Sequence, residues 1–101
     1  MERTHHDPTD EALKQLIEQP SYGAQVLVVT ARMLEMDSAE PMTVLARERA
    51  LDIAADAILG RLPDAVSEDS LARAYRMLPA IGRTTRGEYA LHLRAAAKEL
   101  G

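Results

Sequence analysis

The stretch Gly82-Arg83-Thr84-Thr85-Arg86-Gly87 gathers two glycines, two hydroxyls and two guanidinium groups. Thr85 and Glu88 stand in capping-box register, so the stretch opens a helix. Orphan N–H groups and the positive end of the helix dipole favour an anion there. Arginine adds bidentate recognition of phosphate or carboxylate. Arg83, Thr84, Thr85 and Arg86 are therefore the candidate anion-binding residues. The Gly-x-x-x-x-Gly-Lys-Ser/Thr spacing of a phosphate loop is missing, and nucleotide hydrolysis is not indicated. The commoner meaning of such residues is a capped helix start with two solvated arginines. A helix-turn-helix spanning this region is disfavoured, because residues 79–85 exceed the usual turn of about 3–4 residues.

Glu48, Asp52 and Asp56 recur every four residues, which sets three carboxylates on one helical face. Carboxylates so placed could hold a hard cation or exchange protons, but either role needs ligands converging from other elements. The simpler reading is a solvated acidic face, or one that meets basic residues on a partner. Arg47 falls inside the apolar arc of the same helix. A charge there must snorkel to the edge, pair with an acid on a neighbouring helix, or cross a subunit interface. Glu48, Asp52, Asp56 and Arg47 are the candidate partner-binding residues. His5 and His6 sit in a terminal segment, and His92 follows Glu88 by four residues as a local Glu–His pair. With no Cys and no Ser/His/Asp arrangement, no catalytic residue, metal ligand or cofactor is assigned, and an enzyme is not expected.

Composition sets the frame for these residues. One domain is expected from 101 residues, and neither Trp nor Phe is present. The absence of Cys rules out disulfides and suits a reducing cytoplasm. No apolar run is long enough for a membrane span or a signal region, so a cytoplasmic protein is the expectation. Charge is uneven. Residues 1–60 carry five Lys/Arg against eleven Asp/Glu, and residues 61–101 carry seven against five. An acidic chain is a poor nonspecific binder of nucleic acid, whereas its acidic half suits a basic partner surface.

The elements that must position these groups read as helices. Residues 1–7 are expected to be a mobile tail before a helical domain over 8–101. Asp7-Pro8 starts a first short helix that Pro20 closes, with Leu13, Leu16 and Ile17 in one stripe. Ser21 caps a segment over 24–36 that is apolar nearly all round, the pattern of a central helix. Its Val26-Leu27-Val28-Val29 run would also suit a buried strand, but no partner strand is evident. The longest helix covers about 41–62, with Val44, Leu51, Ala55, Ile58 and Leu62 in a large-residue stripe. A small-residue stripe (Ala46, Ala50, Ala54, Ala57, with Ile53) runs beside it. Ser67 caps a fourth helix, in which Val66 and Leu71 form a staple and Leu71, Ala74, Tyr75 and Leu78 face inward. The last helix buries Tyr89, Leu93, Ala96 and Leu100.

The sum is an all-α, single-domain bundle of about five helices. Leu45, Leu59 and Leu91 fall off the main stripes, a surplus of apolar surface that could seal a homodimer or receive a partner. The expected function is a non-catalytic protein-binding or regulatory module, itself a homo-oligomer, of the kind found among small bacterial and phage regulators and inhibitors. Its partner would be another protein, and one that itself binds nucleic acid would fit the acidic face. The alternative is nucleic-acid or phosphate binding at the N-terminus of the last helix.

Overall fold

A computed structural model of the chain describes residues 21–61 and 67–101. Four helices make up the described residues: α1 (Tyr22–Glu35), α2 (Val44–Arg61), α3 (Glu68–Arg76) and α4 (Arg86–Leu100). The expected tail over 1–7, the expected helix over 8–20, and Leu62 and Val66 lie outside the described residues. Among the described residues the fold is all-α, and no helix is long and apolar enough to cross a membrane.

The Val26–Val29 run is helical. Ser21 starts α1 as its N-cap, its Oγ accepting the Ala24 N–H at 3.2 Å while its carbonyl accepts that of Gln25. Helix then wins over strand because α1 is covered on several sides, so its β-branched residues find packing without a partner strand. Helices α2, α3 and α4 all pack against α1, with the α4 contact the most extensive. Val26, Leu27, Thr30 and Ala31 are fully buried in it. The Thr30 hydroxyl, with no access to water, donates to the Val26 carbonyl one turn back at 2.7 Å. From α4, Tyr89, Leu93, Ala96 and Leu100 enter the core as their spacing requires.

Helix α2 starts later than its sequence suggests. The expected start is about residue 41, yet Pro41 bridges Thr85 in extended backbone and the Met42 N–H goes to the Thr84 carbonyl at 2.9 Å. Only at Thr43, whose hydroxyl accepts the Ala46 N–H at 3.1 Å, is the helix released. Its buried stripe is also narrower than the two expected. Ala50, Leu51, Ala54 and Ile58 pack, whereas Val44, Ile53 and Ala57 stay exposed. The reason is that α2 rests chiefly on one neighbour, α1, and one neighbour covers only part of a helix's circumference.

At α3 the departure concerns Tyr75 and Leu78. The helix stops at Arg76, so Leu78 lies in the following loop, and Tyr75 is 42% exposed instead of facing inward. Where α3 crosses α1, the chains meet at Gly23. Its N–H donates to Ser70 Oγ at 2.7 Å, and a Cβ here would collide with the Ser70 carbonyl oxygen and stand 2.9 Å from the Cβ of Ala74. Backbone cannot yield as a flexible side chain can. Gly23→Ala should therefore destabilise the fold by about 1–3 kcal/mol in urea unfolding. Gly60, with nothing within 4 Å of its absent Cβ, is the matched control. Gly60→Ala should stabilise by about 0.5–1 kcal/mol. Equal effects at the two positions would refute the close crossing.

Candidate functional site

The structure brings Arg83, Thr84, Thr85 and Arg86 together at the start of α4, and their surroundings are already occupied. The Arg86 N–H donates to the Glu40 carbonyl at 2.8 Å and the Gly87 N–H to the Ser38 carbonyl at 3.0 Å. The Glu88 N–H goes to Thr85 Oγ1 at 3.2 Å. These are the donors an external anion would use. The carboxylate of Glu88 folds back to accept from the Thr85 N–H at 2.9 Å and the Thr85 hydroxyl at 3.0 Å. The chain thus places an anion of its own at this helix end. Arg86 reaches the α1–α2 loop, with Nη1 3.5 Å from Asp37 Oδ2 and Nε 3.5 Å from the Pro41 carbonyl. Gly87 permits this seam, because a Cβ there would lie 2.8 Å from the Cβ of Ser38. Of the four residues, Arg83 alone is exposed, the others being partly buried.

Arg47 finds partners that are not acids. Its Nη1 donates to the Tyr89 hydroxyl at 3.0 Å and to the Pro79 carbonyl at 3.2 Å, and Tyr89 itself donates to Pro79 at 2.6 Å. The three groups close a triangle joining α2, α4 and the loop between α3 and α4. Both bonds come from Nη1, while Nε of the partly buried guanidinium is itself buried without a hydrogen-bond partner.

Glu48, Asp52 and Asp56 are all exposed on α2, as expected of an acidic face. Leu45 and Leu59, 59% and 50% exposed, fall on the same line one turn beyond each end. Beside this ridge lies a groove of about 300 Å³ between α2 and α3, lined by Arg47, Glu48, Leu51, Asp52, Tyr75 and Leu78. Electrostatics tie the acids to the tyrosines across it. Partial burial, then the charge of Asp52, push the Tyr75 hydroxyl above its ordinary pKa. Burial, with the neighbouring Tyr75 and Asp56, does the same to Tyr22, whose hydroxyl donates to the Ala55 carbonyl at 3.3 Å. Tyr75 and Leu78 were not singled out by sequence reasoning as surface residues. The one available signal was Pro79, which ends α3 before Leu78 can continue its inward stripe.

Among the described residues no group of three His, Asp or Glu side chains is placed to hold a metal ion. No protein-family model, curated protein or solved structure matches the chain, so its functional reading rests on this geometry.

One further contact carries a pH dependence. Arg94 of α4 grips Glu35 at the end of α1 through two bonds of 2.7 and 2.8 Å, and this holds the Glu35 carboxyl below its ordinary pKa. Glu88 is lowered too, first by the Thr85 N–H and then by the Thr85 hydroxyl. A carboxyl lowered on folding stabilises the fold above its unfolded pKa, about 4.3, and loses that contribution as pH falls through the lowered value. Urea midpoints should therefore drop on acidification below about pH 4.3, and less steeply in Glu35→Gln. With both side chains substantially exposed, the pair is worth at most about 1 kcal/mol at pH 7. An unchanged acid slope in Glu35→Gln would show that the pair contributes nothing.

Proposed function

We propose that the chain is a non-catalytic protein-binding module of regulatory type, and that the outer face of α2 is its contact surface. The observation that carries this reading is the ridge Leu45, Glu48, Asp52, Asp56, Leu59. All five side chains are exposed on a helix whose opposite side is committed to the core. Large apolar side chains at both ends of an acidic run, with further apolar residues beside them, make an apolar and charged surface of the kind that another protein can cover. Val44 and Ile53, 54% and 56% exposed, widen the same surface.

The second reading, nucleic-acid or phosphate binding at the start of α4, retains the exposed Arg83 in its favour. Against it stand the bonded N–H groups of Arg86, Gly87 and Glu88 and the Glu88 carboxylate at the same helix end. An incoming phosphate would have to displace these bonds and approach a like charge.

The test is capture from nuclease-treated host lysate by the wild-type chain and by the triple variant Glu48→Lys/Asp52→Lys/Asp56→Lys. Circular dichroism would check that the variant remains helical. A stoichiometric protein partner held by the wild type and lost by the variant is expected. Equal capture by both would sink the α2 surface. Nucleic acid that co-purifies with wild type and not with Arg83→Ala would favour the second reading instead.

A further inference from the structure

We propose that the partner element recognised by this module is a cationic amphipathic helix, seated along the α2 ridge with an apolar anchor in the groove between α2 and α3. This rests on the protein-binding reading above and adds the chemistry of the partner.

The groove has an apolar lining in Leu51, Leu78 and the ring of Tyr75, an acidic wall in Glu48 and Asp52, and one cation, Arg47, whose guanidinium is held by Tyr89 and Pro79. That pairing asks for an aliphatic or aromatic side chain flanked by positive charge. Tyr75 suits a cation in two ways, since its ring face attracts lysine or arginine and Asp52 lies beside it. Leu45 and Leu59 are fourteen residues apart, which is about 21 Å along the helix. A partner helix of four turns spans that length, and its anchors at i, i+3, i+4 and i+7 match a ridge whose own residues recur every three or four positions.

Other occupants meet the wrong charge. Residues 1–20 of this chain carry five acids against two bases. A second copy docked about a two-fold axis would set the ridges antiparallel. Because residues 45, 48, 52, 56 and 59 are symmetric about 52, Leu45 would face Leu59, Glu48 would face Asp56, and Asp52 would face its own copy. Every carboxylate of one ridge would then oppose a carboxylate of the other, a juxtaposition that costs association, and the one cation on this face, Arg49, is outnumbered by the three acids. Nucleic acid is repelled by the same residues. Charge complementarity leaves a partner that is basic, and the flanking leucines require that it also be apolar on one side.

The experiment is fluorescence anisotropy of three labelled peptides of about 18 residues, some 27 Å long when helical. One carries Leu and Lys in helical period, one has the same composition scrambled, and one replaces Lys by Glu. The full-length chain should bind the amphipathic cationic peptide saturably, the scrambled one more weakly, and the acidic one not at all. Tyr75→Ala and Asp52→Lys should each weaken binding by about tenfold. Raising the salt concentration should weaken it further. Tyr75→Phe, which keeps the ring, should bind as the wild type does.

Equal binding of the ordered and scrambled cationic peptides would overturn the proposal, leaving only diffuse charge attraction. So would wild-type affinity in both Tyr75→Ala and Asp52→Lys, or no binding by the wild type. If these fail while the α2 triple variant still loses its native partner, the protein-binding reading stands and the partner chemistry falls. If the triple variant keeps that partner, both fall. Self-association that the cationic peptide does not displace would assign the ridge to a second copy and overturn the proposal.

Discussion

Helix α1 has almost no face to give to water, and the rest of the described structure follows from covering it. Tyr22, Ala24, Val26, Leu27, Ala31 and Leu34 point in enough directions that no single neighbour can bury them. Helix α4 takes the largest share, α2 and α3 take the remainder, and each meets α1 more closely than it meets the others. The closest approach needs a residue without a side chain, and Gly23 supplies it beneath Ser70 and Ala74. A hub arrangement of this kind explains why α2 and α3 stand apart with a groove between them. Their common neighbour holds each in place, and neither depends on the other for burial.

The seam between the α1–α2 loop and the start of α4 does for the backbone what the core does for the side chains. Helix ends leave donors that must be satisfied somewhere. At α4 the partners come from Thr85, Ser38 and Glu40, so that the cap, the loop and the delayed start of α2 form one connected set of bonds. The residues with the most suggestive chemistry in the chain are thus committed to joining two parts of the fold. Arg47, Tyr89 and Pro79 make a second such junction, between two helices that otherwise pack little against each other.

What α2 does not bury follows from the same geometry. A helix supported mainly by one neighbour presents a narrow inner stripe, and Ala50 and Ala54 keep that stripe close to α1. The outer face is then free to be selected for something other than stability. Its run of carboxylates between two leucines is, on the reading proposed above, poorly suited to self-pairing and well suited to a basic, amphipathic surface. The proposed function draws on that asymmetry, with no resemblance to a known protein behind it.

Four of the expected helices, and most of their ends, are legible from local sequence. Caps at Ser21, Ser67 and Thr85 are read within three or four residues, because the bonds that make a cap are local. The acidic line on α2 was legible for the same reason, as was the buried set of α4. Tertiary structure alone decided the rest, and each case involves residues far apart in the chain. Arg94 and Glu35 are separated by 59 positions, Arg47 and Tyr89 by 42, and Gly23 and Ser70 by 47. No spacing rule connects such residues, since their meeting depends on how helices cross. The start of α2 at Val44, later than the expected 41, has this cause: the bond from Met42 to Thr84 keeps the chain extended there. Tyr75 is the same lesson on the surface, where a residue in register with a buried stripe stays half in water because no neighbour arrives to cover it.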